Sequence, residues 1–263
     1  MTSQERPLSP TPLEHNLVNV TTIYPPLLQE IRYATACNFT GQVLYPFPAA
    51  FVHRDVAAAL QRVQQDLRKE GLCLKIFDGY RPGSIQFKMW ELVRDERYVS
   101  DPTESKGKHT RGTAVDVTLV DRMGNELAMP TPYDDFSDKA HRFSAKWTKE
   151  ERTNSLKLEA VMKKHGFIPF AFEWWHYDYV GWENYPPLDV SFESLARDAK
   201  SATRSVSGND AGALQGGETK FVAPDNSLAA WTPPAFRPES SYLAILLQIA
   251  KIGNSANRAG FEI

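Results

Sequence analysis

The sequence predicts one α+β domain with a central, mainly antiparallel sheet flanked by helices. Segments with helical and strand periodicity alternate from roughly residue 17 to residue 196, in the order helix, strand, helix, strand, helix, strand. Some connections between them look too irregular for a regular βαβ series. The 263 residues are 42% hydrophobic and 24% charged, which is typical of a globular protein with a substantial core.

The composition also predicts how the chain is divided. Residues 1–15 are polar and proline-rich, and we interpret them as an N-terminal tail. Residues 16–197 form the candidate domain. From 198 to 263 the chain becomes rich in Ser, Gly and Ala, so we expect a linker and a partly disordered C-terminal extension, with one short helix near Tyr242 to Ile252.

The first predicted helix covers Asp55 to Glu70. Its apolar residues recur at helical spacing, and Gly71 follows where a glycine commonly ends a helix. The next segment, LCLKIFD, alternates as a strand does and leads into a loop that carries Arg81. A second helix is predicted from Ile85 to about Arg94, followed by a polar, flexible segment from residue 98 to residue 108.

Two further strands and a helix complete the prediction. Thr113 to Val120 alternates in polarity and places Asp116 on its less apolar face, where an aspartate is unusual unless something pairs with it. Thr148 and Glu151 form a capping box for a helix that ends before Gly166. The segment FIPFAFEWWHYDY, residues 167–179, is predicted to be the strand that follows.

The charge balance and the termini exclude several kinds of partner. Thirty basic against 32 acidic residues give a net charge of −2, which makes no case for nucleic acid or an anionic membrane. The N-terminus has no export signal, and the longest late apolar run is too short to span a bilayer, so we expect a cytoplasmic protein acting on a small molecule. Cys37 and Cys73 are then expected to be free thiols, and the oligomeric state stays open.

Three residues have the chemistry and placement of a catalytic zinc site. Such a site needs three protein ligands and one open position for water. His109 and Asp116 are separated by a turn, which Gly112 allows to bend, and by the start of a strand. His176, on another strand, supplies the third ligand. A lone histidine is more often structural, so the hypothesis depends on the three together.

Two charged residues complete the hypothesis. Glu173 precedes His176 by three positions, so it can reach a water at the metal without being a ligand. In a regular strand the two side chains would point to opposite faces, and we therefore predict a bend or bulge at Glu173. Arg81 is a permanent cation on a loop stiffened by proline, suited to an oxyanion. Trp174 and Trp175 are adjacent, and at least one of them is expected to pack in the core. Trp174 is the candidate for a residue that lines the substrate pocket.

These segments resemble a known family. GKHTRGTAVDVTL is similar to the signature SxHxxGxAxD, and EWWHY to the signature ExxH, of the D-alanyl-D-alanine dipeptidases of the vancomycin-resistance type. IRYATACNFTGQVLY, KIFDGYRP and DDFSD also resemble family segments, in the right order, so the similarity spans roughly residues 16–196. It implies the Hedgehog/DD-peptidase fold, one zinc ion and hydrolysis of D-Ala-D-Ala to two D-alanines.

The resemblance also implies roles for individual residues. The zinc ligands are His109, Asp116 and His176, the catalytic base and acid is Glu173, and Arg81 stabilises the transition state. Asp135 and Tyr33 are placed near the substrate's ammonium group, which needs a carboxylate. The family has a serine two positions before the first histidine, and here that position is Gly107. Either Lys108, Ser105 or backbone N–H groups hold the substrate carboxylate in its place, or the substrate preference has shifted.

Two alternatives stay open at this point. A D,D-carboxypeptidase or other muropeptide peptidase acting on longer peptides would use the same chemistry. A non-catalytic zinc-containing binding module would share the fold, although Glu173 and Arg81 would then have no purpose. A serine or cysteine hydrolase finds no support, because there is no GxSxG motif and neither cysteine has a plausible histidine partner.

Overall fold

The computed structural model describes residues 15–96, 98–103 and 107–198. Its helices are α1 (Arg54–Lys69), α2 (Gly83–Leu92) and α3 (Lys149–Lys164), and residues 192–198 are also helical. The strands are β1 (Leu17–Asn19), β2 (Leu28–Gln29), β3 (Phe51–His53), β4 (Leu72–Asp78), β5 (Ala114–Asp121), β6 (Phe167–Pro169) and β7 (His176–Tyr179). The predictions for the first 14 residues, for Ser105 and for the C-terminal extension, including the helix near Tyr242, lie outside the described residues.

Five of the strands form the central sheet, in the order β2-β4-β5-β7-β6. The β2–β4 pair is parallel, and the other three pairings of this sheet are antiparallel. β1 and β3 form a separate antiparallel pair. The predicted α+β class with a mainly antiparallel sheet is therefore confirmed. The sequence missed β1, β2 and β3 because two or three residues are too few to show a period.

The two long helices pack on the sheet as their apolar stripes predict. α1 contacts β4 and buries Val56, Leu60 and Val63 completely. It begins and ends within one residue of the prediction, and the side chain of His53 caps its first turn by accepting from the N–H of Asp55. α3 contacts β5 and β6. Its predicted capping box is confirmed, with Thr148 and Glu151 bonding reciprocally.

The segment predicted as one strand over residues 167–179 is instead a hairpin, and that prediction was wrong. β6 and β7 pair antiparallel, and residues 171–175 form a turn between them. Glu173 lies in this turn, just before β7, so the predicted bend ahead of His176 is confirmed. Residues 171–175 contain no Gly, Pro, Asn, Asp or Ser, so the sequence contains no turn signal at this position. α2 also starts two residues earlier than predicted, directly after Pro82.

Gly112 attaches the loop that carries His109 to the rest of the fold. Its φ of 67° lies in the left-handed region, as the predicted bend requires. Its carbonyl accepts a hydrogen bond of 2.9 Å from the N–H of His53 at the end of β3. A Cβ at this position would lie 2.5 Å from a methyl carbon of Leu17. The loop therefore packs against the β1–β3 pair at a place where a side chain does not fit.

Other sequence predictions concern the cysteines and the membrane. Cys37 is half-buried and Cys73 is buried, and both are thiols, as predicted. Within the described part of the chain, no helix combines the length and the apolar character needed to cross a bilayer.

Candidate active site

His109, Asp116 and His176 converge on one point. The three facing atoms are Nε2 of His109, Oδ1 of Asp116 and Nδ1 of His176. The two histidine nitrogens lie 3.3 Å apart, and the carboxylate oxygen lies 3.0 Å from His176 and 3.5 Å from His109. All three residues are largely buried. The structure thus brings together the predicted ligand set.

The size of this triangle fits a tetrahedral zinc ion. Ligand atoms at 2.0–2.1 Å from zinc, at tetrahedral angles, are separated by about 3.3 Å. The three observed separations of 3.0, 3.3 and 3.5 Å are close to that value. Two imidazoles and one carboxylate form a ligand set that zinc accepts, with a fourth position left for water or substrate. The residues present therefore fit zinc.

The sheet and the loops aim each ligand at this point. Asp116 on β5 pairs directly with His176 on β7, so their side chains lie on the same face of the sheet. His109 reaches the cluster from the loop that Gly112 anchors. Its Nδ1 hydrogen-bonds the carbonyl of Gly79 at 2.6 Å. The hydroxyl of Tyr133 donates to the second oxygen of Asp116 at 2.9 Å. Such outer partners fix the orientation of metal ligands.

The electrostatics of the cluster favour a positive charge. Burial lowers the pKa of His176, but the carboxylates of Asp178 and Asp116 raise it to about 10 overall. Burial raises the pKa of Asp116, whereas both histidines lower it, and the net pKa lies well below the usual range for aspartate. A site that holds one carboxylate ionised and stabilises a cation beside it suits a divalent metal ion.

Glu173 lies beside the cluster without taking part in the triangle. Its Oε2 is 3.7 Å from Nδ1 of His176, and the residue is only 9% exposed. Burial raises the pKa of this carboxyl, His176 lowers it, Asp116 raises it, and the outcome is a pKa of about 8. A carboxyl whose pKa is near neutrality is able to take up and release a proton at physiological pH.

Arg81 points into the same space from the loop that follows β4. Its Nη2 donates to Asp78 at 2.7 Å and its Nη1 donates to Gln86 at 2.8 Å. Burial lowers its pKa, but Asp78 and three nearby tyrosines raise it, and the pKa ends well above its ordinary value. The guanidinium is therefore a fixed, buried cation. The sequence did not indicate that Asp78 and Gln86 would hold it.

A small pocket of about 50 Å³ opens onto these groups. Five predicted site residues line it, namely Arg81, Lys108, His109, Glu173 and His176. Gly107 is also part of the lining. Lys108 is 30% exposed at its side chain and stands over the ring of Trp182, with Nζ 5.2 Å from the ring centre. Two larger grooves, of about 580 and 650 Å³, share no member of the metal cluster.

Asp134, which the sequence did not single out, lies inside this region. It is 6% exposed, has a φ of 61°, and its Oδ1 accepts from the hydroxyl of Tyr33 at 3.2 Å. Its Oδ2 is buried and has no hydrogen-bond partner in the described part of the chain. The neighbouring Asp135, which the sequence did single out, is half-buried and accepts from the N–H of Ser137 within its own loop.

The sequence has two adjacent aspartates, Asp134 and Asp135, and it does not indicate which of them faces the site. Burial raises the pKa of Asp134 well above its usual range, Asp116 and Glu173 raise it further, and Tyr33 and Arg81 lower it. The ring of Tyr33 faces the guanidinium of Arg81 at 5.4 Å. Tyr33 therefore contacts both Asp134, through its hydroxyl, and Arg81 of the pocket, through its ring.

Trp174 occupies a different place from the one proposed for it. Its side chain is 1% exposed, and its indole N–H donates to the hydroxyl of Thr131 at 2.9 Å. Its ring meets that of Trp175 edge to face. Tyr98 and Phe170, rather than a tryptophan, provide the aromatic part of the lining among the described residues.

Comparison with known proteins gives one consistent result. The profile of a family described as D-ala-D-ala dipeptidase matches residues 13–193. A D-alanyl-D-alanine dipeptidase of Escherichia coli is 35% identical over 176 residues, covering 67% of this chain and 91% of its own. A protein of the same name from Enterococcus faecalis is 29% identical, covering 62% of this chain and 90% of its own.

Solved structures show a more distant similarity. A vancomycin-resistance D,D-pentapeptidase in complex with Zn(II) is 18% identical with a TM-score of 0.34, covering 51% of this chain and 75% of its own. The enzyme VanYB in complex with D-alanine-D-alanine is 15% identical with a TM-score of 0.34, covering 61% of this chain and 85% of its own.

Proposed function

The chain belongs to the D-ala-D-ala dipeptidase family, and from that membership we propose that it is a zinc enzyme hydrolysing D-alanyl-D-alanine to two D-alanines. The observation that carries the proposal is the tetrahedral-sized triangle of His109, Asp116 and His176 with the carboxyl of Glu173 beside it. Zinc bound by these three residues would polarise the scissile carbonyl and lower the pKa of a water molecule. The remaining steps fall to the side chains of the pocket.

Glu173 is the proton carrier of the proposed reaction. Its carboxylate takes a proton from the attacking water at Oε2, the atom nearest to His176. It then gives that proton to the nitrogen of the leaving D-alanine. Burial raises the pKa of this carboxyl, which favours its protonated form and so supports the second half of the role, donation to the leaving nitrogen. No covalent enzyme intermediate is needed.

Arg81 stabilises the negative charge that develops on the carbonyl oxygen. Asp78 and Gln86 hold its guanidinium before the substrate arrives, so no reorganisation is needed when the charge appears. The group is buried, which strengthens its field compared with an exposed arginine. These contacts support a catalytic role over a purely structural one, and so argue against a non-catalytic zinc module.

The two ends of the dipeptide have different partners in this proposal. The free oxygen of Asp134, together with the hydroxyl of Tyr33, receives the substrate ammonium, because a buried carboxylate oxygen without a partner suits a cationic donor. Lys108 at the pocket receives the carboxylate. Asp135 stays the alternative for the ammonium, and we assign Trp174 the role of supporting the turn that carries Glu173.

The size of the pocket favours a dipeptide over a longer peptide. A pocket of about 50 Å³ offers little room beyond the reacting groups. A carboxypeptidase or muropeptide peptidase would need a groove continuing from the metal, and neither of the two larger grooves lined by described residues includes the cluster. The cytoplasmic location and the absence of nucleic-acid and membrane partners stay predictions.

The deciding experiment combines metal analysis with a substrate comparison. The purified protein is expected to contain one zinc ion and to release D-alanine from D-Ala-D-Ala on the order of 100-fold faster than from a tripeptide or a stem pentapeptide. A chelator should abolish turnover and zinc should restore it. Preference for the pentapeptide would establish the carboxypeptidase alternative, and zinc without hydrolysis of any peptide would establish the binding module.

A further inference from the structure

We propose that Asp178 is a positioning residue of the metal site, which holds His176 in the ligating orientation and ties it to Lys108 at the pocket. This inference rests on the proposed zinc function. Asp178 is 7% exposed and is not part of the ligand triangle. Asp178 takes no part in the proton transfer or the charge stabilisation of the proposed reaction.

Asp178 contacts the far side of the His176 ring. The two residues are separated by one position on β7, so both side chains lie on the same face of the strand. Nδ1 of His176 faces the other ligands, and Nε2 lies 2.9 Å from Oδ1 of Asp178. An imidazole that binds a metal through one nitrogen carries its hydrogen on the other. A carboxylate at Nε2 therefore selects the tautomer that leaves the lone pair of Nδ1 for the metal.

The sheet provides space for this arrangement. Ala114 on β5 is the residue directly opposite Asp178, and its methyl group is fully buried. A small partner at this position leaves room for a carboxylate on the same face. A buried carboxylate is costly unless both oxygens are paired. Oδ2 of Asp178 meets this condition through Nζ of Lys108 at 3.5 Å.

Lys108 connects this pair to the substrate side of the site. Its ammonium lies 5.2 Å from the ring centre of Trp182 and 6.0 Å from that of Phe170, and it lines the pocket. Asp178 thus contacts a metal ligand with one oxygen and a proposed substrate contact with the other. Removing Asp178 should change both metal affinity and KM, whereas removing Lys108 should change KM with little effect on the metal.

The competing interpretation is that Asp178 only neutralises Lys108 at the end of the strand. The two interpretations differ in what happens at zinc. The test measures the zinc dissociation constant of full-length protein by competition with a chromogenic chelator, for the wild type and for Asp178→Ala, Asp178→Asn and Lys108→Ala. The visible spectrum of the cobalt(II)-substituted protein reports ligand geometry as a second readout.

We expect Asp178→Ala to weaken zinc binding by about 10- to 100-fold, while Lys108→Ala stays within about threefold of the wild type. The Asp178→Asn variant keeps the size of the side chain and a neutral acceptor, so it should lie between the two. If the alanine variant fails to fold, this variant decides the question, with a weakened zinc affinity again as the expected result. The cobalt spectrum should change in both Asp178 variants and stay unchanged in Lys108→Ala.

Two results would overturn the inference. One is wild-type zinc affinity in a folded Asp178 variant, and the other is an equal loss of zinc affinity in Lys108→Ala, which would make the ion pair the cause. Both results leave the proposed function intact. A wild-type protein that takes up no zinc would instead overturn the proposed function, and the inference with it.

Discussion

The carboxylate of Asp78 holds the guanidinium of Arg81 through two hydrogen bonds, of 2.7 Å from Nη2 and 3.3 Å from Nε. Both side chains are buried, and Gln86 takes the remaining nitrogen, Nη1, at 2.8 Å. An arginine held at three nitrogens is fixed in direction before a substrate binds.

Replacing Arg81 with lysine should lower kcat by about 10²- to 10³-fold, because an ammonium cannot reproduce the planar fork. Zinc content should stay unchanged, since Arg81 is not a ligand. Steady-state release of D-alanine and metal analysis check both statements. Arg122→Lys, an exchange at an exposed arginine, is the matched control and should behave as the wild type. An undiminished kcat in Arg81→Lys would exclude the oxyanion role.

Replacing Glu173 with glutamine should lower kcat by about 10²- to 10⁴-fold, because an amide cannot accept the proton of water. The variant should still bind one zinc ion, since the three ligands are untouched. The control is Glu150→Gln, at an exposed position in the first turn of α3. Loss of zinc from Glu173→Gln would show that the glutamate is a ligand, and retained turnover would show that it is not the base.

Replacing Asp134 with asparagine should raise KM for the dipeptide by roughly 10- to 100-fold, which corresponds to the loss of one charged hydrogen bond. Asp135→Asn should have little effect, because the amide oxygen still accepts from the N–H of Ser137. Steady-state kinetics on both variants distinguish the two neighbours. A large effect at Asp135 alone would assign the ammonium contact to that residue, as the sequence first suggested.

Replacing Gly112 with alanine should destabilise the protein by about 2 kcal/mol, because a left-handed φ is costly for an L-residue and the new methyl group meets Leu17. The matched control is Gly83→Ala, where a Cβ finds ordinary contacts at 3.5 Å or more. That exchange, at the start of α2, should leave stability unchanged or slightly increased. Urea unfolding of the two variants measures the difference. Equal stability would mean that the loop adapts to the side chain.

The elements that could be predicted are those with a local signature. α1 and α3 extend over several turns, and their apolar stripes and caps define them to within a residue or two. β1, β2 and β3 left no such signature, because two or three residues gain their strand conformation from a distant partner. The hairpin of β6 and β7 was missed because three of the five residues of its turn are aromatic and also suit a strand.

The candidate site also contains residues that the sequence indicates and residues that only the fold identifies. His109, Asp116, His176, Glu173 and Arg81 stand in motifs whose spacing is short, so the sequence indicates them before any fold is known. Asp78 contacts Arg81, and Asp134 contacts Tyr33. Only the folded chain shows these two contacts. Asp178 was equally hidden, although it lies two positions after His176.

The amino-acid sequence was sufficient to predict the α+β class, the two long helices, the five residues of the proposed metal site, and the family. Those features depend on patterns that repeat within a few residues, and the local backbone conformation determines how such near neighbours are placed. The folded structure was needed to show that the three predicted ligand atoms form a triangle of tetrahedral size, that Asp134 rather than Asp135 is buried beside Tyr33, and that Asp178 contacts His176. Strand register and turn shape set these contacts, and both result from packing between segments far apart in the chain.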